Sequence, residues 1–240
     1  IILFFSNFGK VYSLKTYRLP LCSLQSVGKA MVNILPIKQK EIITAIMPMP
    51  DKSLWDTQSI FFATSEGNVR RNKLSDFVNI QSNGKIAIKL RDSEELISVL
   101  TCTLDHDIFL ASCNGKSVRF KSGAIREFVG RNSKGIKGFK LSLSNDKVIS
   151  MSLLNHMDIE ADAKDQYLKN KFSDLKKTDK ADLFAKMKES EQFILSITEN
   201  GYGKRTSAYE YRITNRGGSG ILNIDTSNRN GKVVSSFPVE

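Results

Sequence analysis

The feature that most constrains this 240-residue chain is a pattern that it repeats four times. Each copy opens with an apolar run into a glycine turn: "ILFFSNFGKVYSLK", "IFFATSEGNVRRNK", "IFLASCNGKSVRFK" and "FILSITENGYGKRTS". The turn glycines are Gly9, Gly67, Gly115 and Gly201. A second glycine, Gly28, Gly84, Gly135 or Gly220, follows 19, 17, 20 or 19 residues later and leads another short run. Each copy closes on an apolar stretch: "EIITAIMP", "ELISVLTC", "KVISMSLL" or "KVVSSFPV". The pattern predicts four short strands per repeat of roughly 50 residues, the sequence signature of propeller blades. One blade cannot bury both of its faces, so blades must stack. The expected fold is all-β, a propeller-like array of about four to five four-stranded blades. Asn-Gly pairs at 83–84, 114–115, 200–201 and 230–231 predict type I′ turns, because both residues tolerate positive φ.

The third and fourth turn glycines stand 86 residues apart, against 58 and 48 for the earlier pairs. The excess lies at 155–192, which lacks glycine. There Leu168, Phe172 and Leu175 share one helical face, and Leu183, Phe184 and Met187 another. These spacings predict a helical hairpin inserted between blades. A charged, partly disordered loop is the alternative. The remainder of 1–240 reads as one array, and the start in mid-strand at Ile1 reads as a fragment of a longer protein.

Charge narrows the function. The chain carries a formal +11, yet 155–192 holds eight Lys against nine Asp plus Glu, so the repeats carry about +12. Such an excess favours a polyanion, nucleic acid before a membrane surface. Cys22, Cys102 and Cys113 are scattered and form no metal or disulfide spacing, which fits a reducing compartment. No apolar run is long enough for a transmembrane helix, and no membrane partner is expected. Catalytic candidates are lacking. His106 and His156 are the only histidines and have no ligand-spaced partner, so neither a metal site nor a nucleophile is expected.

Cations recur in register. Counting from the turn glycine, position four is Ser13, Arg71, Arg119 and Arg205; position six is Lys15, Lys73, Lys121 and Ser207. Positions two apart share a strand face. Arg70 and Lys204 flank this row, and Arg18, Lys29, Arg126, Arg131, Lys134, Lys137, Arg212 and Arg216 cluster in the loops that follow. Repeated over stacked blades they would form a basic belt suited to a duplex backbone, read without sequence preference. The loop "RITNRGGSG" adds glycines that let backbone approach phosphate, but it is not a P-loop, since no Gly-Lys-Ser/Thr follows.

The strings "FFSNFGKVYSLKTYRLP", "GRNSKGIKGFKL" and "TENGYGKRTSAYEYRITNRGGSGI" resemble the C-terminal domain of the DNA gyrase A proteins. The related topoisomerase IV domain is similar in fold but less close in these strings. The resemblance implies a β-pinwheel, here an incomplete or open disc, whose basic rim wraps duplex DNA in support of ATP-dependent negative supercoiling. It makes Arg70, Arg71 and Lys73 rim contacts. It implies as partners the gyrase A N-terminal region and the gyrase B protein, with ATP and Mg²⁺ in those parts, no cofactor or catalytic site in this fragment, and a cytoplasmic, nucleoid-associated location. "NRGGSG" resembles the family's wrapping box but stands in a later repeat, and the insertion is not general in the family. A propeller serving as a protein-interaction platform is the other reading, and it predicts binding that does not fall steeply with salt.

Overall fold

The computed structural model describes residues 1–169 and 180–239. In chain order the first two repeats supply β1 (Ile2–Ser6), β2 (Lys10–Leu14), β3 (Ile43–Pro48), β4 (Ser59–Thr64), β5 (Asn68–Lys73), β6 (Lys85–Ile86) and β7 (Leu96–Cys102). The last two supply β8 (His106–Ser112), β9 (Lys116–Lys121), β10 (Glu127–Phe128), β11 (Ile136–Lys137), β12 (Val148–Asn155), β13 (Phe193–Thr198), β14 (Gly203–Ser207), β15 (Ile221–Leu222) and β16 (Val233–Val239). Among the described residues two helices, α1 (Ala161–Lys169) and α2 (Ala181–Glu189), lie between β12 and β13. The chain forms two compact units: Ile1–Thr103 with Ile125–Leu141, and Leu104–Ala124 with Ser142–Glu240.

In the first unit one sheet runs β3-β1-β2-β6 and the other β10-β5-β4-β7, with β11 also on β5. In the first three repeats the opening strand is central in its sheet and buried on both faces, which is why "LFF" and "IFFA" are continuous apolar runs rather than alternating ones. Phe5 and Phe62 meet edge to face at 5.9 Å, and Phe77 packs 5.5 Å from Phe62. Leu3, Val11, Ile60, Leu74, Ile88 and Leu96 complete this core.

The second unit holds the sheets β12-β8-β9-β15 and β14-β13-β16. Phe109, Leu154, Ile194 and Tyr211 form a core between them. The helices bury Ala163, Tyr167, Phe184 and Met187 against Tyr209. Leu183 joins this cluster, but Leu168 is 36% exposed; α1 turns Ala163 and Tyr167 inward instead, one position out of phase with the expected face. Phe172 and Leu175 lie outside the described residues.

Two expectations need correction. The third strand of a repeat does not complete its own blade. It crosses to the preceding one: β6 pairs with β2, β11 with β5 and β15 with β9. Nor are the turns type I′. In the opening turns only the glycine has positive φ, and its N–H closes a four-residue turn on Ser6, Thr64, Ser112 or Thr198, as in a type I turn with a glycine bulge. At three of the four turns a crossing strand docks on the glycine. The Gly9 carbonyl accepts the N–H groups of Ala87 and Ile88, Gly67 those of Gly138 and Phe139, and Gly115 those of Asn223 and Ile224. A Cβ on Gly9 would lie 2.5 Å from the Ile88 carbonyl oxygen. The glycine is thus the docking point for the next repeat.

Buried carboxylates recur two residues before the pairing start of the closing strand, as Glu41, Glu94 and Asp146. Glu94 accepts Asn68 Nδ2 at 2.7 Å, the Arg91 backbone N–H at 3.0 Å and the Thr64 hydroxyl. Glu41 accepts the Tyr12 hydroxyl and the Lys38 N–H, both at 2.8 Å. Burial opposes their charge, but these donors outweigh it and hold both pKa values below the ordinary 4.5. A depressed carboxylate lends stability above its unfolded value and loses it as pH falls through the folded one. Melting temperature should therefore hold from neutrality to about pH 4.5 and then drop. Glu94→Gln should flatten that drop, as followed by circular dichroism across pH.

Candidate nucleic-acid interface

The pleat of β5 separates its cations. Val69 and Arg71 point one way, Arg70 and Asn72 the other. Arg71 is half-buried and Lys73 is exposed, with Glu127 4.0 Å from Lys73. Arg70 is 0% exposed and binds the backbone of the next repeat, so it does not stand on the outer face with Lys73.

The row at position four grades inward, contrary to the uniform belt. Ser13 is half-buried and donates to the Ile80 carbonyl. Arg119 is 4% exposed and pairs at 2.8 Å with Asp107, itself fully buried. Only Arg205 is exposed, its guanidinium 3.6 Å from the Phe193 ring centre. Arg70 and Arg119 are therefore corrected from rim cations to internal ones, since a guanidinium without solvent access cannot reach a phosphate.

Position six behaves otherwise. Lys15, Lys73 and Lys121 are all exposed at strand ends, while Ser207 is buried. The loop cations Arg18, Lys29, Arg126, Lys134, Lys137, Lys204, Arg212 and Arg216 are exposed, and Arg131 is half-buried. Arg126 stacks 4.8 Å from the Phe128 ring, and Lys137 Nζ donates to the Glu66 carbonyl at 3.0 Å. In the first unit Arg126, Arg131, Lys134 and Lys137 follow one another along the segment that docks on β5. In the second, Lys121 and Arg212 line one cavity of about 380 Å³ with Lys164 of α1. The register misses Lys89 and Lys140, both exposed five residues after the second glycine of their repeats, and that shared offset is the signal that would have found them. Among the described residues no group of three His, Cys, Asp or Glu side chains could hold a metal, and no helix is long and apolar enough to cross a membrane.

The model of the DNA gyrase C-terminal domain, a β-propeller, matches residues 1–48, 58–103, 106–155 and 192–240. This chain belongs to the DNA gyrase C-terminal domain family. The match covers all four repeats and omits the segment that carries α1 and α2. The DNA gyrase A protein of Rickettsia bellii is 46% identical over all of this chain, and that of Haemophilus influenzae 39%. The chain spans 28% and 26% of those relatives. A solved gyrase A C-terminal domain superposes with a TM-score of 0.70 at 21% identity, over 100% of this chain and 65% of that one. A solved topoisomerase IV C-terminal domain gives 0.62 at 19%, over 100% and 79%. These two likenesses are of fold.

Proposed function

We propose that this gyrase C-terminal chain binds and wraps duplex DNA through its exposed cations, without sequence preference, and that it does so as part of a gyrase A protein supporting negative supercoiling. The observation that carries the proposal is the outward position-six row, Lys15, Lys73 and Lys121, continued by exposed loop cations, on a chain of this family. Lys and Arg at such sites displace condensed counterions from phosphates, and a series of them rewards a bent duplex with added contacts. The gyrase A N-terminal region and the gyrase B protein are the protein partners in this reading, with ATP and Mg²⁺ used by those parts. The place of action is the bacterial cytoplasm, at the nucleoid.

The test is affinity for linear duplexes of increasing length over a salt series. Affinity should rise with length and fall with salt by about 0.9 log units per log unit of salt for each phosphate engaged, whatever the sequence. Binding that is absent at low salt, or flat against salt, sinks the proposal.

A further inference from the structure

We propose that Arg70 is a positioning residue: from inside the first unit it holds the loop of the following repeat so that Arg126, Arg131 and Lys134 face outward. The inference rests on the DNA-binding reading above and says how one part of that surface is built. Arg70 Nη1 donates to the carbonyl oxygens of Arg131 at 2.7 Å and Ser133 at 2.8 Å, and Nη2 donates to that of Gly130. Two positions along the same face of β5, Asn72 Nδ2 donates to the carbonyls of Phe128 at 2.9 Å and Gly130 at 2.8 Å. The carbonyls of Phe128, Gly130, Arg131 and Ser133 are thus drawn inward by two side chains of one strand. Around these carbonyls Phe128 turns inward beside Arg70, whereas the basic side chains reach the surface to different extents. Arg126 and Lys134 are exposed, and Arg131 lies partly exposed over Phe77 at 5.9 Å.

The chemistry calls for arginine. A guanidinium presents its donors in a fixed planar fork, whereas a lysine offers one point of charge on a flexible stem. Phe128 also lies 5.6 Å from the Arg70 guanidinium, so the ring is part of the same seat. Burial lowers the Arg70 pKa to about 10, with Asp76 opposing and Arg131 adding to the shift, which leaves the side chain cationic at neutral pH. Glu127 and Phe128 pair in parallel with Arg71 and Asn72, and Ile136 and Lys137 pair with Val69 and Asn68. The loop is therefore pinned at both ends by β5 and at its middle by Arg70.

The experiment compares four full-length versions of the chain on one duplex across a salt series: the parent, Arg70→Met, the triple replacement Arg126→Ala, Arg131→Ala, Lys134→Ala, and the combination of all four. The triple variant should weaken binding about 30-fold and lower the salt slope by about 2–3. Arg70→Met should weaken it on the order of 10-fold with a lower slope, although Arg70 itself touches no phosphate. In the triple background Arg70→Met should change affinity by less than about 2-fold. A purely structural role leaves the slope unmoved or adds its full effect to the triple, and either outcome overturns the proposal. So does parent-like binding by Arg70→Met. A triple variant that binds like a binding-competent parent refutes the positioning role but spares the DNA reading, and a parent that does not bind refutes both. If Arg70→Met does not fold, Asn72→Ala releases the same loop without losing the charge; it should weaken binding about 3-fold in the parent and not at all in the triple background.

Discussion

Arg119→Met is expected to lose about 3–5 kcal/mol of stability and to lose DNA binding only in step with folding. The Arg119 Nε and an Nη both reach Asp107 at 2.8 Å, and the other Nη donates to the Ala208 carbonyl at 2.7 Å. Asp107 is fully buried, with His156 Nδ1 2.9 Å from its second oxygen. Removing the arginine leaves a carboxylate without its principal partner and away from water, the costly half of a broken buried pair. Lys121, two residues on and exposed, should behave in the opposite way. Lys121→Glu should leave stability within about 0.5 kcal/mol and reduce the salt slope of DNA binding by about 1 or more. Urea midpoints and salt slopes on the same preparations separate the two. If Arg119→Met keeps its midpoint, the pair does not support the fold as described. If the second change Asp107→Leu restores the midpoint, the stranded carboxylate is the cause.

The architecture was legible where the physics is local. "ILFF", "IFFA" and "IFLA" announce buried central strands because the run is apolar on both faces. The return of a glycine after each apolar run, at Gly9, Gly67 and Gly115, announces turns, because few other residues accept that backbone. Separation of Arg70 from Arg71 and Lys73 was also available, since strand residues one apart face opposite ways. What the opening strands do not contain is the partner. Nothing near Arg119 says that it reaches diagonally across to Asp107 on β8 or that the Asn155 and Ala208 carbonyls close over it. Nothing near Arg70 names the Gly130 loop 60 residues away. Cations recurring at one offset thus share a strand position without sharing an environment. The row that stays outward, Lys15, Lys73 and Lys121, sits at the strand end, where no following strand covers it. Asn-Gly favours a type I′ hairpin in isolation, yet Asn114-Gly115, on which backbone of the next repeat docks, and Asn200-Gly201, which has no such neighbour, both form the bulged turn.

That docking makes the turn glycines the most sensitive single positions outside the core, and unequally so. Gly67→Ala and Gly115→Ala should each cost on the order of 3 kcal/mol or more, from left-handed strain plus overlap with a neighbouring backbone carbonyl. At Gly67 (φ +77°) the obstacle is Phe139, and at Gly115 (φ +79°) it is Ile224. Neither carbonyl can retreat without giving up the N–H bonds that the same residue and its predecessor donate to the glycine. Gly201 has the same φ of +79° but no heavy atom within 4 Å of an added Cβ. Gly201→Ala should then cost only the strain, about 1–2 kcal/mol. D-alanine at Gly67, introduced by semisynthesis, relieves the positive φ and redirects the methyl group, so it should recover most of the loss if the overlap is directional. Equal midpoints for Gly67→Ala and Gly201→Ala in urea would mean that φ alone matters. A larger loss at Gly67 and Gly115 means that the repeats are joined through their turns, so that a fault in one turn loosens the strand and the basic loop that the next repeat lays across it.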